Sequence, residues 1–326
     1  VTKGVPHPKN ARVFFARIEN DGLRMRKGVR VPRDGEQLSL AVQAYREHDE
    51  IPGFCGWHAL DVDSWAPGLY IPARPLTTDE AVDGVGELVR SRAAFVVQHA
   101  PQLAALRAAV EREELAPKPY RKMRRAPDAG VLDAPTLGGC FDIFYGQKAL
   151  HSKERLAEGS TLVISSSGLE NGCYGFFDFD DVIAPPFVTV PSTGSFGEAH
   201  VQEWPCGVTD DCLILLPRKD VPHELLYVAA SVVRRERWRF SYGRKATPER
   251  IADFPLPMEN ALIKRVRAML EAASRIENMA LEAATEAAED SHDARVARQR
   301  LAEIAAKKQR LVTGAELEER LLRCED

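Results

Sequence analysis

From Ser231 to Arg250 the chain carries Arg234, Arg235, Arg237, Arg239, Arg244, Lys245 and Arg250 against Glu236 and Glu249 alone. That is a local charge of +5 in a protein of 326 residues whose formal net charge is −4. Guanidinium and ammonium groups at this density neutralise phosphates, and arginine can also bind guanine bidentately. Overall acidity does not oppose this, because local patches set the field at a binding face. Around the basic stretch lie polar, glycine-containing segments: "FYGQKALHSKE", "SSSGLENGCYG", "PSTGSFGEA" and "SYGRKATPE". Asparagine and glutamine pair with adenine, hydroxyls serve either groove edge, and glycines let backbone approach a phosphate. The chemistry indicated is nucleic-acid binding.

Catalytic constellations are mostly missing. No P-loop is present, and the G-x-G at Gly84-Val85-Gly86 falls inside an expected helix, outside the strand-turn context of a dinucleotide site. No Glu-x-Lys and no G-x-S-x-G occur. The acids Asp178, Asp180 and Asp181, and Asp210 and Asp211, could hold a metal but read first as strand-end turn residues. Cys55, Cys140, Cys173, Cys206, Cys212 and Cys324 are scattered without a C-x-x-C pair, so neither a disulfide framework nor a zinc site is indicated. His200 near Cys206 and Cys212 is the one tempting group, and these thiols read as ordinary buried cysteines of a cytoplasmic protein. No run approaches the ~20 apolar residues of a membrane span. The opening "VTKGVPHPKNARVFFARI" reads as mid-chain sequence rather than a targeting segment, as in the distal part of a longer protein.

The elements that must position these residues fall into regions. In residues 1–115, "ARVFFARI" reads as a buried strand ending at the turn Asn20-Asp21-Gly22, followed by a helix from Glu36 to His48. "WAPGLYIPARP" is proline-broken extended chain. Thr77 and Glu80 form a capping-box pair opening a helix through Val97. Residues 116–134, "APKPYRKMRRAPDAG" and its flank, read as a basic linker. In residues 135–258, "TLVISS", "YGFFDF", "FVTV" and "CLILLP" read as strands between Gly/Ser/Pro turns, interrupted by the helix "PHELLYVAASVVRRERWRF", whose arginines fall on its exposed end. Residues 259–326 read as helical. Leu262, Val266, Met269, Ala273, Ile276, Ala280, Ala283 and Ala287 step by four and three, a heptad seam with small residues. A second stripe follows at Ala297, Leu301, Ile304 and Leu311. An unbroken helix from Glu259 to Arg310 would be ~75 Å long. The open alternatives are a bend at Asp290-Ser291, and a helix that packs back onto its own domain instead of forming a coiled coil. Thr313 and Glu316 would cap a last short helix.

The order of these pieces resembles a known family. "FDIFYGQKAL", "LVISSSGLENGCYGFF", "APPFVTVPSTGSFGEAHVQEWPCGVTDDCLILLP" and "RFSYGRKATPERIADFPLP", followed by a long helix, resemble the target-recognition domain of type I restriction-modification specificity subunits. More loosely, residues 8–105, through "NARVFFARIENDG", are similar to the tail of an adenine-N6 DNA methyltransferase. The resemblance implies an α+β architecture: a mixed α/β recognition domain, a long C-terminal helical coiled coil and a smaller N-terminal α/β segment. It implies DNA-facing loops at Lys148, at Ser165, Ser166, Ser167 and Asn171, at Ser192, Thr193 and Gly194, and at Tyr242, Arg244 and Lys245. The basic residues Arg235, Arg237 and Arg239 stand beside them.

Adenine methylation needs an Asn/Asp-Pro-Pro-aromatic loop to hold the flipped base. The only Pro-Pro here, in Ala184-Pro185-Pro186-Phe187, lacks the polar leading residue. The expectation is a non-catalytic module that binds double-stranded DNA and no cofactor, with S-adenosylmethionine belonging to an associated methyltransferase core. A restriction subunit and a homodimer through the helix at 262–287 are further expected partners. The usual specificity subunit has two recognition modules in tandem, and this chain shows one. The alternatives carried forward are a divergent metal-dependent nuclease using Asp178 to Asp181, and a coiled-coil interaction scaffold.

Overall fold

A computed structural model describes residues 8, 10–59, 65–120 and 135–305. The first unit pairs β1 (Arg12–Ala16) antiparallel with β4 (Cys55–Ala59). Between them lie a hairpin of β2 (Leu23–Arg26) and β3 (Val29–Pro32), and the helix α1 (Leu38–Glu47), which ends where His48 adopts a left-handed conformation. The expected buried strand at "ARVFFARI" forms, but only Phe15 in it is buried. The pair is instead faced by rings: Phe15 stacks on Tyr70 at 4.3 Å, and Tyr45 and His48 both stack on Trp57.

Helix α2 (Thr78–Gln98) begins with the capping box expected from sequence: Thr77 Oγ1 accepts from the Glu80 amide while the Glu80 carboxylate accepts from the Thr77 amide. α3 (Ala100–Glu111) follows. The Gly84-Val85-Gly86 run has a packing role, since a Cβ on Gly84 would overlap Ser231 of the crossing helix. After α4 (Leu137–Cys140) come β5 (Phe141–Tyr145), β6 (Glu158–Ile164), β7 (Cys173–Phe177), β8 (Phe187–Pro191), β9 (His200–Gln202), β10 (Cys206–Val208) and β11 (Cys212–Pro217). They form an antiparallel sheet in the order β5-β11-β8-β9 and a mixed sheet in the order β10-β6-β7. Helices α5 (Glu224–Arg235), α6 (Pro248–Ala252) and α7 (Asn260–Ala305) complete the described chain.

The fully apolar run "CLILLP" has a physical reason. Leu213 and Leu215 of β11 point into a core with Val188, Val190, α2, α5 and the start of α7. Cys212 and Ile214 point the other way, into a second core with Leu162, Ile164, Val208 and the helix residues Phe95, Leu103 and Leu106. Alternate residues of one strand therefore serve two cores, and no face is left for polar side chains. Both cores join residues of α2 or α3 to residues beyond 135, so buried packing runs across the sequence boundary placed at 115. Of the linker at 116–134, only its start is described. Lys118 pairs with Ile183 as an isolated bridge, and Lys122, Arg121, Arg124 and Arg125 lie outside the described residues.

The C-terminal helix is continuous through Asp290-Ser291, without the bend left open by sequence. Its first half packs back on α2, α3 and α5, which was the alternative to the coiled coil. The buried stripe is Leu262, Val266, Leu270, Ala273 and Leu281, whereas Ile276 of the expected seam is 55% exposed and Ala283 and Ala287 face solvent. The stripe drifts off the heptad because a straight helix turns every 3.6 residues and its partner here is a layer of short helices, not another supercoiled helix. Leu311, Thr313 and Glu316 lie outside the described residues.

One ionic cluster ties this helix down. Arg92 of α2, 5% exposed, forms a two-nitrogen pair with Glu277 of α7 at 2.9 and 3.0 Å. It also reaches Glu203 at 3.2 Å and donates to the Tyr227 hydroxyl. Burial works against the charge on Glu203, yet bonds from His223 and Tyr227 and the Arg92 charge hold its carboxyl below the usual range. Removing one partner of such a group strands the other charges. Arg92→Met should therefore destabilise the protein by about 3–5 kcal/mol in chemical denaturation. Glu271→Gln, on the exposed side of α7, should leave the unfolding midpoint in place.

Candidate nucleic-acid interface

The turns singled out by sequence meet at one edge. Strands β5, β6, β8 and β10 all end where β11 begins, and backbone hydrogen bonds cross between their exits. Gly146 N donates to Cys212 O, Gln147 N to Val208 O, Thr209 N to Ile164 O, and Ser192 N to Asp211 O. Ser195 N donates to Ser166 O, joining the turn after β8 to the turn after β6. Gly146 is forced by this crowding, because a Cβ there would lie 2.2 Å from Thr209 O and 2.7 Å from Val208 O. The segment leading into the 241–245 turn adjoins the same cluster. Gly197, at φ +69°, brings its backbone so close that a Cβ would fall 2.7 Å from Arg237 Cα and 2.9 Å from the Phe240 ring.

Not all of the expected residues present themselves at that edge. Lys148, Gly194, Tyr242 and Lys245 are exposed, Tyr242 at 87%, and no ion pair engages Lys148 or Lys245 among the described residues. Ser166, Ser167 and Thr193 are half-buried, and the Ser167 hydroxyl accepts from Leu169 N within its own turn. Ser165, Asn171 and Ser192 are buried and correct the sequence expectation: they build the turns instead of facing outward. Asn171, in a left-handed conformation, donates to Val201 O and to Gln202 Oε1; Gln202 in turn donates to Asn171 O and Thr189 Oγ1. Ser192 Oγ donates to Asp211 O at 2.8 Å. A buried amide whose N–H donors are taken up by the interior cannot read a base.

The basic helix end is the larger correction. Arg239 is 7% exposed, paired with Glu236, and donates to Gly68 O and Ile71 O. Trp238 lies between the guanidinium groups of Arg17 and Arg239, each 4.5 Å from a ring centroid. Arg235 meets Glu19 at 3.5 Å and Glu80 at 3.8 Å; Arg237 meets Glu198 at 2.5 Å; Arg234 meets the same carboxylate at 3.3 Å. Arg244 donates to Arg239 O, and burial, then Arg250 and Arg239, pushes its pKa down. The charge counted along the segment is thus offset by Glu19, Glu80 and Glu198, acids distant in sequence. Arg235 and Arg239 tie the N-terminal part to the body, Arg234 and Arg237 hold the turn after β8 through Glu198, and together they do not form a free phosphate-binding row.

His151, and Arg250 of the basic run, were not among the DNA-facing residues expected from sequence, and both are exposed. His151 Nδ1 lies 3.0 Å from Asp210 at the β11 entrance, with its side chain 76% exposed. Arg250 donates to Lys245 O at 2.7 Å. The signal for Arg250 was present in the basic run itself; His151 carried none. Asp178 and Asp180 are exposed, and Asp181 accepts from Gln147 through its backbone oxygen at 2.6 Å. Among the described residues no three His, Cys, Asp or Glu side chains gather as metal ligands would.

A buried histidine fixes the edge from behind. His200, 1% exposed, meets Ser167 O through Nε2 at 3.2 Å, and its Nδ1 faces Arg234 at 3.2 Å. Burial, reinforced by the Arg234 charge, pushes its pKa down to about 3. The unfolded chain takes up a proton near pH 6.5 that the folded chain refuses, so stability from this group is full above pH 6.5 and is lost as pH falls toward 3. About 2 kcal/mol should disappear between pH 7 and pH 5 in denaturant titrations. In His200→Gln, whose amide can accept from Arg234 and donate to Ser167, that acid slope should flatten.

No family model and no curated protein matches this chain. Among solved structures it is similar to the S subunit of a type I restriction-modification system from M. genitalium, with 17% identity and a TM-score of 0.35. That match covers 64% of this chain and 54% of the other. It is also similar to the HsdS subunit from Thermoanaerobacter tengcongensis, with 19% identity and a TM-score of 0.32, over 63% of this chain and 51% of the other. The chain spans about half the length of both, and superposition at that level assigns no role to any residue.

Proposed function

We propose that this chain is a sequence-specific DNA-recognition module, and that it directs adenine-N6 methylation by a catalytic core supplied from outside the described residues. The observation that supports it is the meeting of the 146–151, 165–172, 192–199 and 209–211 turns at the common exits of strands from both sheets, beside the segment leading into the 241–245 turn. Strands buried on both faces hold those turns rigid; the side chains left outward there include Lys148 and His151, and the 241–245 turn exposes Tyr242 and Lys245. Lysine ammonium groups fix the register against phosphates, while the half-buried hydroxyls and exposed glycine backbone approach base edges. S-adenosylmethionine would belong to the catalytic core, and a restriction subunit would complete the assembly. The distal part of α7, exposed along Ala283 and Ala287, would be the surface for a second copy.

The test is selection of duplexes with a randomised core, followed by titration of the selected site across a salt series. The chain should enrich a defined sequence, and its affinity should fall steeply with salt. Lys148→Ala with Lys245→Ala should make the plot of log K against log salt shallower by about 2, roughly 0.9 for each phosphate no longer neutralised. Selection that enriches nothing would overturn the reading.

A further inference from the structure

The densest set of unpaired cations lies outside that edge. From Gly22 to Arg33 the chain reads "GLRMRKGVRVPR", with Arg24, Arg26, Lys27, Arg30 and Arg33 and no acidic residue. These residues form the β2–β3 hairpin, in which every residue but Val31 is exposed. At its tip Lys27 and Gly28 have φ of 50° and 81°, the two positive values that a tight two-residue turn of matching twist requires. A Cβ on Gly28 would meet nothing within 4 Å, so the tip stands in open space. The only ion pair on the hairpin among the described residues is Arg30 with Asp21, at 3.9 Å.

The root, in contrast, is rigid. Arg33 N donates to Gly22 O at 2.8 Å. Asn20, 9% exposed, donates to Asp34 O and Gly35 O and accepts from Gly22 N. Gln37 Oε1 accepts from both Glu19 N and Asn20 N. A two-stranded ribbon is marginal by itself, and here its base is pinned by buried amides while its blade is uncovered.

The register places charge on both sides of the blade. Arg24 pairs with Val31 and Arg26 with Val29, so these four share one face; Leu23 pairs with Pro32 and Met25 with Arg30, and these share the other. Two arginines lie on the first face, one on the second, and Lys27 caps the tip. A protein surface would cover one face and strand the cations of the other. A DNA groove presents phosphates on both walls at once. Two strands ~4.8 Å apart fit a major groove ~12 Å wide. Met25 and Val29, 66% and 62% exposed, suit contact with sugar and thymine methyl groups on its floor.

We infer that the β2–β3 hairpin is a second DNA-binding element, an arm that enters the major groove of duplex DNA apart from the turn cluster. It rests on the DNA-recognition reading and adds to it a grip made from the first unit.

The experiment uses the whole chain and a variant carrying Arg24→Ala, Arg26→Ala, Lys27→Ala and Arg30→Ala, titrated into a random-sequence duplex over a salt series. Because the four side chains are exposed, the unfolding midpoint should not move. Affinity should fall more than tenfold, and the salt plot should become shallower by about 2–4, roughly 0.9 for each phosphate released from a cation. A variant with lysine at the three arginine positions should keep the parent slope. Double-stranded RNA, whose major groove is too deep and narrow for side chains, should not show the loss. An unchanged slope in a chain that does bind duplex overturns the arm alone. Lost affinity for polyglutamate with duplex binding intact would reassign the arm to an acidic protein and overturn the proposal. A parent chain that binds no duplex at all overturns the DNA-recognition reading and the arm with it.

Discussion

Strand β11 is buried on both faces, and the placement of every turn at the candidate edge depends on it. A slip of one residue would exchange Leu213 and Leu215 with Cys212 and Ile214 between two cores of different shape. The penalty for such a slip is large, so register is fixed without help from the loops. Its neighbours β5 and β8 inherit that register through pairs such as Leu213 with Tyr145 and with Val190. The exits of these strands are then fixed in space, and the exposed turn residues Lys148 and Gly194 need no packing role of their own. Rigidity of the turns is a product of burial elsewhere.

Electrostatics divides the cations into two populations with different work. Arg92, Arg234, Arg235, Arg237 and Arg239 are paired with carboxylates or backbone oxygens and hold elements together. Arginine suits that work because its planar fork accommodates several acceptors at once, and because it stacks on rings, as at Trp238. The cations of β2–β3, with Lys148 and Lys245, are solvated and largely unpaired. Only the second population can exchange small counterions for phosphates. Charge density along the sequence does not separate the two, since the neutralising acids Glu19, Glu80 and Glu198 are far from the arginines in the chain.

That is also why the sequence was legible in its elements and not in its site. The strands at "TLVISS", "FVTV" and "CLILLP" and the capping box at Thr77 and Glu80 announce themselves through local rules of burial and hydrogen bonding. The family pattern implied DNA-facing loops, and backbone hydrogen bonds link the turns after β5, β6, β8 and β10 to one another. Which residues of a turn face outward is different in kind. Asn171 and Ser192 have the composition of base readers, but a left-handed backbone at Asn171 and the proximity of Gln202 and Asp211 turn them inward. Those neighbours lie tens of residues away, and no local window contains them. The hairpin was legible and unread: a two-residue turn at Lys27-Gly28 between short alternating runs is a local signal.

The C-terminal helix packs on its own body over one part of its length only. Over its first half the apolar spacing of Leu262, Val266, Leu270 and Ala273 follows the 3.6-residue period of a helix lying on its own domain. Glu277 then meets Arg92, and Ala284 is the last helix residue packed against the second core. Anchoring by an ion pair close to the point where cover ends resists peeling better than another alanine would, because releasing Glu277 leaves the buried Arg92 guanidinium with Glu203 and Tyr227 only. The helix is held firmly to the body up to that point, and the rest projects as an extension of a fixed axis. Anything bound along the projecting half would therefore have its position set by the core that also fixes the turns.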